Sequence, residues 1–421
     1  MKRTLLVLSL LIGIAAVSIV WRNYRDEDAH PSPAATLSQE ESIARGAYLA
    51  RAGHCAGCHT ARGGTPYAGG HAIPTPFGTL YAPNLTPDPE TGIGAWTSDD
   101  FWRALHNGRA KDGRFLYPAC PYPNYTKVTR ADADALYAYL RSLPPVRQPN
   151  RPHELRFPYS TQLALAVWRA LYFEPGVYEP DETRSAEWNR GAYLVNGLGH
   201  CSACHARRNA LGATDSTLSG GTIPVQGWYA PSLHSKREAS VAGWPREDIV
   251  ALLKHGISPQ ASALGPMAAV VHGSTQHLSD ADLRAMALYL SELPVHEDKA
   301  PEPPAVPPAR LARGERVYAE RCADCHGEQG EGVPGMYPPL AGNRAILLEP
   351  PVNTIRAVLN GGFPPATAGN PQPFGMPPYA TLLSDEDVAA VVSYIRNAWG
   401  NRASPVNAWE VATEGRGIGV R

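Results

Sequence analysis

Three pentapeptides constrain this chain more than anything else in its 421 residues: Cys55-Ala56-Gly57-Cys58-His59, Cys201-Ser202-Ala203-Cys204-His205 and Cys322-Ala323-Asp324-Cys325-His326. C-x-x-C-H is the spacing at which two thiols add to the vinyl groups of one porphyrin while the adjacent imidazole ligates its iron. A single copy could equally be half of a zinc site or a redox dithiol. Three copies, each with His directly after the second Cys, point to three covalently bound haems c. A four-cysteine zinc site has no use for those histidines, and a thioredoxin-like site does not come in threes. Six of the seven cysteines are thereby committed, and no pair remains for a structural disulfide.

The length allows two to four domains. A net charge of −1 leaves no basic footprint for nucleic acid. With 39 Gly, 41 Pro and only 43% hydrophobic residues, the composition suits small, loop-rich domains, each packed around a large apolar cofactor that enlarges its core. Lys2 and Arg3 precede an apolar run from Leu5 to Trp21, at the lower edge of a membrane span and the upper edge of a signal segment. No small-x-small cleavage site ends it, and Trp21 and Tyr24 suit an interface. An N-terminal anchor over residues 1–25 is therefore expected, with a cleaved signal as the alternative. In either case the body is exported to the periplasmic side of a bacterial inner membrane.

Beyond a spacer at 26–37, one unit recurs three times. A helical lead-in runs into each motif: Glu41–Gly53, then Arg190-Gly191-Ala192-Tyr193-Leu194, then Arg313-Gly314-Glu315-Arg316-Val317-Tyr318. Each unit closes on a helix opened by Thr129, Ser279 or Ser384, with Asp132, Asp282 or Asp387 three residues on, which predicts reciprocal caps. Tyr139, Tyr289 and Tyr394 lie seven residues after those aspartates and read as core packing. Between the helices, Pro83-Asn84-Leu85, Pro231-Ser232-Leu233 and Pro338-Pro339-Leu340 each follow a Tyr. A proline carbonyl there can accept from Nδ1 of the ligating His, fixing its tautomer. The units are placed at 38–146, 183–296 and 310–402. Residues 147–182 form a linker with a helix expected at Thr161–Phe173 that could pack the first two domains together. A Pro-rich spacer covers 297–309, and 403–421 is a tail without periodicity that could run along a neighbouring domain or a partner.

His59, His205 and His326 are the expected proximal iron ligands. On the distal side, Met376 precedes the last helix of the third unit, and Met267 has the same place in the second. Met1, Met286 and Met336 are poorly placed: the start, a helix interior, and a position close behind His326. His/Met ligation is the electron-transfer arrangement. The first unit departs from it. Cys120 lies 61 residues after His59, as Met267 lies 62 after His205, and no Met is near. Cys120 is expected as a thiolate ligand that favours ferric iron and lowers the potential. The alternatives are a free thiol beside an iron ligated by His71 or His106, or left open. His54, His200, His234, His255, His272 and His277 are given no role; His106 and His255 stand at helix C-caps.

Leu85-Thr86-Pro87-Asp88 through Thr91-Gly92-Ile93-Gly94-Ala95-Trp96, Phe101-Trp102-Arg103-Ala104-Leu105, Val271-His272-Gly273-Ser274-Thr275-Gln276-His277-Leu278 and Tyr394-Ile395-Arg396-Asn397-Ala398-Trp399-Gly400-Asn401 carry a resemblance. Over residues 40–410 the chain resembles the tri-haem cytochrome c subunit of bacterial membrane-bound dehydrogenases acting on alcohol, aldehyde, gluconate, sorbitol or fructose. The resemblance implies a mostly α fold of three tandem class I cytochrome c domains behind one N-terminal apolar helix. It also implies electron transfer from a catalytic subunit to membrane ubiquinone or an oxidase. The family usually has Met where this chain has Cys120. No Rossmann glycine fingerprint or ferredoxin-type Cys spacing is present, so a molybdenum/iron–sulfur, quinone or flavin cofactor would sit on the partner. A low-potential first haem leans towards the molybdenum–iron–sulfur class. Two rival readings make the chain itself an enzyme: a thiosulfate-dehydrogenase-like sulfur enzyme with Cys120 as its reactive group, or a peroxidase with an open iron.

Overall fold

Ser38 and Glu41 show how the first repeat begins. The Glu41 amide donates to Ser38 Oγ at 3.2 Å and the Ser38 amide to Glu41 Oε2 at 2.8 Å. This reciprocal cap starts a helix two residues before the apolar spacing announces it. The computed structural model describes residues 2–24, 37–238, 241–295 and 302–415. They form two compact units, the first comprising 1–181, 193–200 and 209–213 and the second 182–192, 201–208 and 214–421 within those limits.

The first unit opens with α1 (Lys2–Tyr24), long and apolar enough to cross a membrane. α2 (Gln39–Ala52) leads through Gly53 and a left-handed His54 (φ 49°) into α3 (Cys55–His59), a single turn carrying the first motif. A hairpin of β1 (Ala72–Thr75) and β2 (Gly78–Tyr81) follows, in antiparallel register from Ala72↔Tyr81 to Thr75↔Gly78. α4 (Ser98–Asn107) is capped by Thr97 and stopped by left-handed Gly108. The turn α5 (Tyr122–Tyr125) and the closing helix α6 (Arg130–Ser142) complete the repeat. β3 (Glu154–Leu155) adds to β2, and Thr161 caps α7 (Gln162–Tyr172), the helix expected in the linker. Leu49, Trp102, Val128, Leu136 and Leu140 are buried around Cys55 and Cys120.

In the second unit, α8 (Ala186–Asn196), which ends in the first unit, leads to the turn α9 (Ser202–His205). The hairpin of β4 (Gly221–Ile223) and β5 (Trp228–Ala230) precedes α10 (Arg246–His255), α11 (Pro266–Gly273) and the closing helix α12 (Asp280–Ser291). The third repeat uses α13 (Pro308–Arg321), the turn α14 (Ala323–His326), α15 (Val352–Asn360) and the closing helix α16 (Asp385–Ile395). Its core is Val317, Tyr318, Ile355, Leu359, Val388 and Val392, with Cys322 and Met376 against it.

One helix crossing organises all three repeats. At Gly46, Gly191 and Gly314 a Cβ would run into the carbonyl of Ala135, Ala285 and Ala390, and would lie within 2.9 Å of Cβ of Tyr139, Tyr289 and Tyr394. Glycine is required for the lead-in helix to approach its closing helix so closely. The three tyrosines flank the crossing, as core packing required.

Two expectations need correction. Of the three closing helices, α16 alone shows a complete reciprocal cap, the Ser384 amide and hydroxyl both reaching Asp387. Thr129 and Ser279 accept from the amides of Asp132 and Asp282, but those carboxylates turn instead to arginines. Residues 403–411 do not leave the third repeat as a tail. Val406 and Val411 are fully buried in its core, and Val406 exchanges hydrogen bonds with Ser393 while its carbonyl also accepts from Arg310.

Candidate haem sites

Each motif histidine meets a proline carbonyl. His59 Nδ1 lies 2.8 Å from the Pro83 oxygen, His205 Nδ1 2.7 Å from that of Pro231 and His326 Nδ1 3.2 Å from that of Pro338. A carbonyl only accepts, so each Nδ1 keeps its proton and donates, and Nε2 keeps its lone pair. That is the tautomer a metal needs, in a ring already fixed in orientation. Burial holds all three imidazoles below their ordinary pKa, and the proline carbonyls oppose this only in part. The rings are therefore neutral donors near pH 7.

The first cysteine of each motif faces the apolar interior. Burial, with the second thiol of the motif beside it, pushes Cys55 and Cys201 up to about 12 and Cys322 to about 11. Thiols so held keep their protons, and an apolar wall that includes them suits a porphyrin face. Cys55 and Cys322 each border their repeat's buried core. The donor set, the tautomers and the apolar walls all fit haem.

Cys120 lies in the first core with Cys55, and burial pushes its thiol up to about 12, with Cys58 close enough to add to the effect. The segment is pinned by bonds from the Cys120 amide to Tyr117 and from the Tyr122 amide to Cys120. Of the two alternative histidines, His106 is otherwise engaged. His106 is buried, stacked on Trp102 at 4.5 Å, with Nδ1 3.0 Å from the Thr126 carbonyl. His71 lies near His59 itself, close enough to disfavour that ring's charged form. Met267 is on the first turn of α11 and half-buried. Met376 is held by a bridge to Gly362, with paired bonds of 2.8 and 3.0 Å, and packs on the third core. Met286 is buried within α12 and Met336 is exposed.

One recurring contact has no counterpart in the sequence reading. Arg45 Nε donates to Asp132 at 2.6 Å, Arg190 grips Asp282 by two bonds of 2.8 Å, and Arg313 Nε donates to Asp387 at 2.8 Å. Each pair ties the residue before the crossing glycine to the third residue of the closing helix. In the first repeat Tyr193 adds a hydroxyl donated to Asp132 at 2.6 Å. The signal was present in the repeated Arg-Gly and Ser/Thr-x-x-Asp, which had to be read as one constellation.

The family model described as Cytochrome c matches residues 43–144 and 311–399, and that of Cytochrome C oxidase, cbb3-type, subunit III matches 186–290. The cytochrome c subunit of the quinone alcohol dehydrogenase of Gluconobacter oxydans is 40% identical over 94% of this chain and 84% of its own. The chain belongs to the dehydrogenase cytochrome c subunit family. The gluconate 2-dehydrogenase cytochrome c subunit of Pantoea cypripedii is 39% identical over 88% of this chain and 89% of its own. A nicotinate dehydrogenase polypeptide of Pseudomonas putida is 42% identical over 95% of this chain, which spans 33% of that longer protein. As a member of this family the chain is an electron-transfer protein built of cytochrome c domains with covalently bound haem c. None of the relatives named here is a sulfur enzyme, and that rival reading of Cys120 gains no support from them.

Proposed function

We propose that the chain holds three haems c and carries electrons from a catalytic dehydrogenase subunit to ubiquinone or an oxidase, on the periplasmic face of a membrane in which α1 is the anchor. Cys55 and Cys58, Cys201 and Cys204, and Cys322 and Cys325 provide the thioether links. His59, His205 and His326 are the proximal ligands. Met267 and Met376 are the distal ligands of the second and third irons, and Cys120 that of the first. Haem supplies a one-electron carrier; the protein's part is to hold its axial donors and keep water away. Met donors raise the potential and a thiolate lowers it, so Cys120 sets the first site apart as the one closest in potential to a low-potential donor. The relatives' names support a catalytic dehydrogenase partner; its class, molybdenum/iron–sulfur, quinoprotein or flavoprotein, is our own reading, with the lean towards molybdenum resting on Cys120.

The observation that carries this reading is the threefold His–Pro bond beside each C-x-x-C-H turn. Electron paramagnetic resonance of the oxidised protein and its Cys120→Met variant tests it. A low-spin signal of thiolate character, lost in the variant, is expected. A high-spin first haem would remove Cys120 from the ligand set and bring the peroxidase reading forward.

A further inference from the structure

α7 has an exposed face that water does not explain. Among its eleven residues the one charged side chain is Arg169, and it is buried. Leu163, Val167 and Leu171, spaced four apart, form a stripe on the outer face, with Leu163 73% and Leu171 60% exposed. Phe157, just before the helix, is 84% exposed, and Tyr172 ends it half in the open. A solvated helix carries charge on its outer face, whereas this one carries leucines and aromatics.

The same helix receives the end of the anchor. Asn23 is buried, and its amide donates to the Ala166 carbonyl at 2.9 Å while its oxygen accepts from Arg169 Nε at 2.9 Å. Arg22 donates to the Ala170 carbonyl at 2.9 Å. Arg169 in turn lies over the rings of Phe115 and Phe173, each at 4.7 Å. Where α1 leaves the bilayer, at Trp21 and Tyr24, α7 is therefore at headgroup depth. Eleven residues are too few to cross a hydrocarbon core, which needs about 20. A short apolar-faced helix at that level lies in the interface plane.

We infer that α7 is a second membrane contact, its Leu163–Val167–Leu171 stripe and Phe157 immersed among lipid headgroups and upper acyl chains beside the anchor. This rests on the reading of α1 as a membrane span. Nitroxides at Leu163→Cys, Val167→Cys and Leu171→Cys, with Ile12→Cys in α1 and Glu90→Cys on the water-facing surface, test both. The full-length haem-loaded protein is reconstituted in phosphatidylcholine–phosphatidylglycerol vesicles, with the unmutated chain labelled in parallel to subtract any signal from Cys120. Relaxation by oxygen is compared with that by a water-soluble nickel chelate. The expected result is an oxygen-to-nickel ratio on α7 several-fold above that of Glu90→Cys. Lipid exposure at Ile12→Cys with α7 matching Glu90→Cys overturns the α7 contact and leaves the anchor standing. Water exposure at Ile12→Cys as well overturns both. α7 labels that are open to water in vesicles and become shielded only when the catalytic subunit is added would make the stripe a protein interface instead.

Discussion

At the residue scale, Cys120 decides the most. Replacing it with Met should raise the first haem's potential by on the order of 0.3 V, inside the roughly 0.8 V over which axial ligands act. Potentiometric titration of the variant followed by optical spectra reads this directly. Asp387 gives a pH prediction. Its bond to Arg313, with Ser384 helping, holds the carboxyl below its ordinary value of 3.8. The ionised form is thus favoured by folding: the contribution is complete above about pH 4 and is lost as pH falls through the lower folded value. Asp387→Asn should flatten the acid limb of a plot of Tm against pH between 6 and 2. The same scale shows what could be read in advance. C-x-x-C-H is legible because covalent attachment demands identity at a fixed spacing. The Arg–Asp pairs were not, because each residue alone resembles an ordinary surface charge and its partner lies far along the chain.

At the scale of elements, the crossing glycines reverse a familiar sign. Gly→Ala inside an exposed helix stabilises by up to about 1 kcal/mol. At Gly46, Gly191 or Gly314 the added methyl meets backbone rather than a yielding side chain, so overpacking should cost about 1–3 kcal/mol or more. Denaturant unfolding of Gly314→Ala, with loop Gly176→Ala as control, distinguishes the two. Arg396 is the other element-scale anchor. Fully buried, it donates to the carbonyls of Ile346, Leu348 and Ser404 and pairs with Glu349, fastening the chain beyond α16 to the third repeat. Arg396→Leu should lower stability by about 2–3 kcal/mol, since it leaves the carbonyls of Ile346 and Leu348 without this donor. Calorimetry of the haem-loaded protein would show it. Helix ends were legible from Thr129, Ser279, Ser384, Gly108 and Gly256, where cap chemistry is local. The hairpins were not: Ala72-Ile73-Pro74-Thr75 is too short and too Pro-interrupted to show alternation. Val406 and Val411 join a core without any periodic pattern around them.

For the whole molecule, intact mass under denaturing conditions should exceed the polypeptide by three haems, and Cys201→Ala with Cys204→Ala should remove one. A reductive titration should resolve one low step and two higher ones. The threefold repeat and the N-terminal apolar helix were legible because both are repeated or continuous patterns. The seat of α1 on α7 was not, since Asn23 and Arg169 meet across more than a hundred residues of sequence. That seat has a mechanical consequence. A tail joined to its domain only by residues 25–36 would let the body swing and rise over the bilayer. With Asn23 locked under Arg169, the proposed anchor would instead set the protein like a post in its footing and hold the first repeat at one height above the lipid. Lengthening the 25–36 segment with Gly and Ser should then leave the rate of electron delivery to the proposed quinone acceptor unchanged, whereas Asn23→Ala, by freeing the post, should make that rate depend on the length of the segment.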